Sequence, residues 1–284
     1  MKMKLVSIDQ LISLYPVLLF DSFGVLIHGQ GPYPGAVELI DYLNKTNHEY
    51  LVLTNTAAEL PENLSARFRA MKLQIPPERI VTSGSLLRNY FAAHSLAGTK
   101  CIVLGTADSE TYVRKAGGEI IDEKSNEYPD AVIVCDESGY PFLPKIDWTI
   151  TTLIQALEAG KSIHLVFPNP DLIYPSSQNG FGITSGSIAV MIEQILTVKF
   201  PDTSTPTFQR LGKPHRSIFE EALQRSGTKN MIMIGDQLFT DIKGANDFGI
   251  DSALIESGIN SGDDLGSVRP DYLLSSLRMG KNVD

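Results

Sequence analysis

The hydrophobic pattern of this chain consists of short apolar runs that alternate with longer segments of helical spacing. Apolar runs of four or five residues lie at 17–20, 50–53, 101–104, 131–135 and 231–234. Runs of this length predict buried strands, and the segments between them predict helices. Strands that alternate with helices favour parallel pairing, because each helix carries the chain back across the sheet. We therefore predict an α/β fold with a doubly wound parallel sheet.

The order of these elements predicts two domains. The pattern of the first part returns at the end of the chain, so we assign residues 1–84 and 206–284 to one core domain. Residues 85–205 form their own series of strands and helices, which predicts an inserted α/β domain. Within it, residues 168–180 lack periodicity and predict an irregular loop, and residues 201–207 predict a linker.

Composition and charge exclude several classes of protein. Hydrophobic residues make up 43% of the chain and charged residues 20%, as in ordinary soluble domains. The net charge of -9 argues against a nucleic-acid partner, and no apolar run is long enough to span a membrane. The N-terminus lacks the apolar core of a signal peptide. Cys101 and Cys135 lie in apolar runs, which predicts buried thiols and a cytoplasmic location.

Polar residues follow or flank several of the predicted core strands. The carboxyl ends of parallel strands meet at one edge of a sheet, where catalytic groups gather. Each residue alone has an ordinary explanation as a turn former, a helix-terminus residue or a solvated charge. Their joint occurrence favours a site instead. The residues are Asp21, Thr54, Asn55, Lys213, Asp236 and Asp241.

These residue types together suit phosphoryl transfer. Asp21 offers a carboxylate nucleophile that can form an aspartyl-phosphate. Together with Asp236 and Asp241 it offers the hard oxygen ligands that Mg²⁺ prefers. Thr54 and Lys213 supply donors for the phosphoryl oxygens in the transition state. We therefore predict a magnesium cofactor and a small phosphate ester as the ligand.

Four motifs in this order resemble those of the haloacid dehalogenase (HAD) superfamily of aspartate-nucleophile phosphatases. They lie at 21–26, 51–55, 212–214 and 235–241. The segment between the second and third motifs resembles the α/β cap of the class II branch, which holds nitrophenyl-phosphatase-like, nucleotide, sugar-phosphate and pyridoxal-phosphate phosphatases. The resemblance implies a Rossmann-like core, a phosphoric monoester hydrolase activity on sugar-phosphate-like metabolites, and pairing of chains as homodimers.

The resemblance also assigns residues beyond the phosphoryl-transfer set. It implies substrate contacts for Phe23, Gly24 and Asn55, and for the Asn-Pro-Asp motif that contains Asn169 and Asp171. The backbone carbonyl of Phe23 is implied as a magnesium ligand, since that contact does not depend on the side chain.

Phe23 departs from the family pattern, which has a second Asp at this position as general acid and base. A phenyl ring cannot transfer a proton, and such catalysis typically contributes roughly 100- to 10,000-fold. We therefore expect slow turnover of esters with poor leaving groups, with His28 or a cap residue as a replacement proton carrier.

Two alternatives stay open at this point. A phosphate-binding or regulatory relative without catalysis would also tolerate Phe23. The second alternative is a dehalogenase or phosphonatase-type hydrolase, since the superfamily's dehalogenases carry Tyr at the position that corresponds to Phe23. They need no metal, however, whereas Asp236 and Asp241 keep an acidic metal site.

Overall fold

The structure, a computed structural model, describes residues 3–175, 180–201, 206–255 and 268–280. Parts of the predicted loop at 168–180 and of the predicted linker at 201–207 lie outside the described residues. The chain separates into two compact units. The core unit is Met1–Thr54, Pro61–Val81 and Lys213–Asp284, and the inserted unit is Asn55–Leu60 and Thr82–Gly212. The chain therefore first passes from the core unit to the inserted unit directly after Thr54, and it last returns to the core unit directly before Lys213.

Strands within the described ranges are short. In chain order they are β1 (Lys4–Val6), β2 (Val17–Asp21), β3 (Ile27–His28), β4 (Gly31–Pro32), β5 (Glu49–Thr54), β6 (Ile80–Thr82), β7 (Lys100–Leu104), β8 (Glu119–Ile120), β9 (Ala131–Val134), β10 (His164–Phe167), β11 (Ile173–Pro175), β12 (Phe181–Ile183), β13 (Gln209–Arg210), β14 (Met231–Gly235), β15 (Asp251–Ile255) and β16 (Tyr272–Leu274).

The α-helices alternate with most of these strands. They are α1 (Ile8–Leu14), α2 (Ala36–Lys45), α3 (Pro61–Ala70), α4 (Leu87–Ala93), α5 (Ala107–Lys115), α6 (Phe142–Glu158), α7 (Ser185–Lys199), α8 (Arg216–Ser226) and α9 (Lys243–Phe248). Two 3₁₀ turns and one π-helical turn complete the set: Pro77–Arg79, Gly84–Leu86 and Leu238–Ile242. No helix in the described part of the chain is long and apolar enough to cross a membrane.

The core unit contains a seven-stranded sheet in the order β1-β16-β15-β14-β2-β5-β6. The central pairs β14/β2 and β2/β5 are parallel. From β2 the chain builds the sheet toward β6 and later toward β16, so the order reverses between β2 and β14. In doubly wound folds this reversal marks the ligand-binding crevice. The predicted α/β fold is confirmed.

The core of this unit is apolar on both faces of the sheet. Every residue of β2 is buried, which explains its continuous hydrophobic sequence. Phe20 and Tyr50 pack edge to face with ring centroids 6.3 Å apart, and Leu11 and Phe68 belong to the same cluster. Burial of such side chains contributes about 1.5–3 kcal/mol each.

The inserted unit has its own five-stranded sheet, in the order β13-β10-β9-β7-β8, with parallel pairs throughout. Strand β13 extends this sheet after residue 206, so Gln209 and Arg210 lie with the inserted unit and not with the core domain to which we assigned them. The prediction of an irregular loop at 168–180 is wrong in part, because β11 pairs antiparallel with β12.

The starts of three helices differ from those that the helical spacing of the sequence predicts, at 110–116, 148–159 and 241–248. Helix α6 begins at Phe142, because Pro144 lies in the first turn, where its missing N–H costs nothing. Helix α5 begins at Ala107 because the Thr106 hydroxyl accepts the Ser109 N–H as an N-cap. The third predicted helix starts within a π-helical turn.

We predict that Phe20→Ala lowers the free energy of unfolding by about 3–5 kcal/mol, because it opens a cavity at a fully buried position. Phe239→Ala is the matched control, since that ring belongs to the same unit, is 71% exposed, and its loss should cost about 0.5 kcal/mol or less. Urea unfolding followed by circular dichroism measures both. Equal losses for the two variants would contradict the assigned core.

Candidate active site

Two neighbouring parallel strands carry carboxylates to the reversal point of the core sheet. Asp21 is the last residue of β2, and Asp236 directly follows β14. The register pairs Phe20 with Ile234, so both acidic residues come at the same edge of the sheet. Both side chains are buried. The sequence prediction that these carboxylates gather at strand ends agrees with their position.

Gly24 and Gly235 provide room for two of the carboxylates, because neither glycine has a side chain. A Cβ on Gly24 would lie 2.2 Å from Asp236 Oδ2, and the φ of Gly24 is +99°. A Cβ on Gly235 would lie 2.2 Å from the Cβ of Asp241. Because real Cβ atoms do not approach so closely, any side chain at either position would displace a carboxylate. Gly24 therefore shapes the site through its missing side chain.

Lys213 joins two of the three carboxylates. Its Nζ donates to Asp21 Oδ1 at 2.5 Å and to Asp241 Oδ1 at 2.7 Å, and its side chain is only 3% exposed. Burial alone would lower the pKa of Lys213, but the charges of Asp21 and Asp241 raise it above its ordinary value. The lysine is therefore a buried ammonium group and not a solvated surface charge.

The three carboxylates carry more charge than Lys213 balances. Burial raises the pKa of Asp21 to about 7, with Lys213 opposing this effect and Asp241 adding to it. Burial and then the charges of Asp21 and Asp241 raise the pKa of Asp236 to about 8. One ammonium against three carboxylates leaves two negative charges when all are ionised, and this is the charge that a divalent cation neutralises.

The geometry of these groups fits such a cation. One oxygen each from Asp21, Asp236 and Asp241 lie within 4.8 Å of one another. Lys213 Nζ donates to Oδ1 of both Asp21 and Asp241. The other oxygen of Asp241, Oδ2, accepts the Gln237 N–H at 3.2 Å. Carboxylate oxygens are the ligands of hard divalent cations. The predicted metal ligation by the backbone of Phe23 stays a prediction.

The other predicted residues of the core unit lie close to these strand ends. Thr54 ends β5, one residue beyond the pairing of Leu53 with Asp21. Phe23 is 46% exposed in the turn after β2. The His28 and Tyr33 rings are 4.8 Å apart, and burial together with the charge of Asp236 raises the pKa of Tyr33. No pattern in the sequence indicated Tyr33.

Asn55, Asn169 and Asp171 form a separate group within the inserted unit. The Asn55 side-chain amide donates to Asp171 Oδ1 at 3.0 Å, and the Asp171 N–H donates to Asn169 Oδ1 at 3.0 Å. The structure thus brings these three residues together, and their substrate contacts stay a prediction.

Comparison with known proteins identifies the family. The family model for haloacid dehalogenase-like hydrolases matches residues 18–119, and a HAD-hydrolase-like model matches residues 210–279. A dihydroxyacetone phosphatase from Corynebacterium glutamicum is 30% identical over 263 residues, which cover 91% of this chain and 88% of the relative. The chain belongs to the haloacid dehalogenase-like hydrolases. The predicted resemblance to the class II branch with an α/β cap, class IIA of this superfamily, is confirmed.

Other relatives of this HAD hydrolase agree with that class. An acid sugar phosphatase from Staphylococcus aureus is 27% identical over 270 residues, covering 93% of this chain and 95% of the relative. The crystal structure of a possible sugar phosphatase from Cytophaga hutchinsonii superposes with a TM-score of 0.82 at 28% identity, covering 98% of this chain and 99% of the other. This chain is accordingly a phosphoric monoester hydrolase of the HAD type that acts on small phosphorylated metabolites.

We predict that Asp236→Asn stabilises the metal-free protein above neutral pH and removes its response to divalent cations. The ordinary pKa of this carboxyl is 3.8 and its folded value is about 8, so the unfolded chain releases the proton first. Wild-type stability therefore falls as pH rises from about 4 to about 8, and the neutral amide removes this contribution. We expect a gain of roughly 0.5–2 kcal/mol at pH 8.

Urea unfolding in EDTA at pH 5 and pH 8 measures this gain, and thermal melting with Mg²⁺ or Ca²⁺ measures the metal response. Asp247→Asn is the control, because Asp247 forms an exposed ion pair with Lys243 in the same unit. An Asp236→Asn variant that keeps the wild-type metal response would contradict the proposed ligand set.

Proposed function

We propose that this HAD hydrolase is a Mg²⁺-dependent phosphatase of sugar-phosphate-like metabolites that works through an aspartyl-phosphate. The observation that carries the proposal is the buried group in which Lys213 bonds Asp21 and Asp241, with Asp236 beside them. The relatives named as dihydroxyacetone and acid sugar phosphatases support the substrate class. We infer that the protein acts in the cytoplasm.

Asp21 is the proposed nucleophile because Lys213 Nζ donates to its Oδ1 and orients the carboxylate at the end of β2. In the proposed first step a carboxylate oxygen of Asp21 attacks phosphorus in line with the ester oxygen. The ester oxygen leaves and takes up a proton to give the alcohol. Water then loses a proton as it attacks phosphorus of the aspartyl-phosphate, which releases inorganic phosphate and restores the Asp21 carboxylate. Bound Mg²⁺ would supply charge neutralisation and would be held by Asp21, Asp236 and Asp241.

The Lys213 ammonium group and the Thr54 hydroxyl are the proposed donors to the transferring phosphoryl oxygens. Lys213 is already charged and oriented before substrate binds, so it needs no reorganisation during the reaction. Thr54 ends β5, the strand beside β2, which supports a position at the same edge of the sheet as Asp21.

Phe23 removes the proton donor from the position that supplies it in related phosphatases. Alcohols with high pKa values need a proton as they leave, whereas nitrophenolate does not. We infer slow turnover of alkyl phosphates, with His28 as the proposed proton carrier on the strand after the Phe23 turn. The acidic ligand set disfavours a dehalogenase, and the phosphatase relatives disfavour a binder without catalysis.

Self-association as a homodimer stays a proposal. Large apolar side chains on the inserted unit support it, because the hairpin of β11 and β12 exposes 56% of Ile173, 70% of Phe181 and 49% of Ile183.

We predict that Asp21→Asn abolishes Mg²⁺-dependent release of phosphate from nitrophenyl phosphate, because an amide is too weak a nucleophile and a poorer magnesium ligand. Steady-state rates with and without EDTA measure the loss, and circular dichroism confirms the fold. Asp41→Asn on α2 is the control and should keep wild-type turnover. Unchanged activity of Asp21→Asn would exclude this nucleophile.

We also predict that Phe23→Asp raises kcat for alkyl phosphates about tenfold or more, toward the usual range of general acid catalysis. The gain for nitrophenyl phosphate should be smaller, since its leaving group departs without a proton. Phe23→Asn is the matched control, because the Asn side chain has about the volume of Asp and carries no acidic proton. If Phe23→Asp binds Mg²⁺ and folds but gains nothing over Phe23→Asn, Phe23 does not replace a missing acid.

A further inference from the structure

The segment Asn55–Leu60 directly follows the proposed phosphate donor Thr54, and it is bound to the inserted unit through hydroxyl groups. Five of its backbone carbonyl oxygens each accept a side-chain O–H group. The bonds run from Ser83 to Asn55 at 2.6 Å and to Thr56 at 3.1 Å, from Ser109 to Ala57 at 2.8 Å, from Thr106 to Ala58 at 2.6 Å and from Tyr112 to Glu59 at 2.7 Å. We call these four hydroxyl residues the hydroxyl clamp.

Most of the hydroxyl clamp comes from one end of a single helix. Thr106 is the N-cap of α5, and Ser109 and Tyr112 lie in its first two turns. Asp108 of the same helix accepts the Leu60 N–H at 2.9 Å. One short helix thus supplies these four bonds, which connect the start of α5 to the end of the segment Asn55–Leu60.

The bonds from Ser83 to Asn55 and from Ser109 to Ala57 are buried, and those from Thr106 and Tyr112 are part-buried. Ser83 and Ser109 are fully buried, and the Tyr112 hydroxyl also bonds the buried Thr82 hydroxyl at 2.7 Å. A buried backbone carbonyl that loses its donor keeps the whole cost of desolvation. The hydroxyl bonds thus favour one orientation of the carbonyls that accept them.

Asn55 receives the strongest restraint. Ser83 donates to its backbone oxygen, and its own side chain donates to Asp171 Oδ1. Asn55 is also only 6% exposed. Its backbone therefore has little freedom, and the peptide bond that joins it to Thr54 shares this restraint.

We propose that the hydroxyl clamp positions the Thr54–Asn55 peptide for phosphoryl binding, so that its members are positioning residues and not catalytic ones. The proposal rests on the proposed phosphatase function. In this proposal, residues that are distant from Asp21 in the chain set the orientation of the Thr54 donor. A donor misplaced by about 1 Å can cost roughly 100-fold in rate.

Tyr112→Phe tests the proposal with the least disturbance, because the ring stays and one hydroxyl is lost. We expect kcat for nitrophenyl phosphate at saturating Mg²⁺ to fall roughly 10- to 100-fold, with a smaller change in KM. Ser83→Ala is a second variant with the same expectation. Tyr140→Phe is the control, since the Tyr140 hydroxyl donates to the Asp136 carbonyl in the same unit and does not contact the segment.

A double-mutant cycle separates positioning from general loss of stability. If the clamp acts through Thr54, Tyr112→Phe and Ser83→Ala should have little further effect on kcat in a Thr54→Ala background. Wild-type kcat in both single variants, or effects that multiply fully with Thr54→Ala, would overturn the proposal. Absence of Mg²⁺-dependent hydrolysis in the wild type would instead refute the proposed function, so the two failures differ.

Discussion

The buried ammonium group of Lys213 is the interaction on which the core unit depends. It bonds Asp21 and Asp241 at positions that water hardly reaches. Burial of charge is costly, and removal of one partner from such a group costs more than the pair contributes. Burial raises the pKa values of Asp21 and Asp236, and the charges of the neighbouring carboxylates add to this effect. One ammonium group against three carboxylates leaves an excess of negative charge when all are ionised. The site is thus electrostatically incomplete in a way that a divalent cation relieves.

The fold meets this constraint through backbone geometry. Parallel strands β2 and β14 deliver two carboxylates to the same edge of the sheet, at the point where the strand order reverses. The missing side chains of Gly24 and Gly235 leave room for Asp236 and Asp241. The close cluster of acidic groups persists because strands, turns and one lysine hold it together. The cluster lowers the free energy of unfolding of the metal-free protein, and binding of a cation can restore it.

The proposed mechanism assigns two tasks to different residues. The structure keeps Asp21, Lys213 and the two later aspartates together, and the proposal gives them charge stabilisation and metal binding. The proposal places proton transfer to the leaving group at position 23, where the ring of Phe23 is 46% exposed. Under this proposal Phe23 affects only the second task. The family relation therefore supports phosphatase chemistry while the residue at position 23 bears on which esters react well.

Local sequence patterns determined the helices and strands, because the structure of these elements depends on residues that are close together in the chain. The buried strands that end at Asp21 and near Asp236 follow from continuous apolar runs, and helices such as α2 form in the segments between the runs. Tertiary structure alone decided the partners of the polar groups. The bond of Asn55 to Asp171 joins residues far apart in the chain, and the clamp hydroxyls of α5 bond a segment from another part of it. Hydrophobic periodicity reports which face of an element is buried, but it does not record which distant donor meets which acceptor.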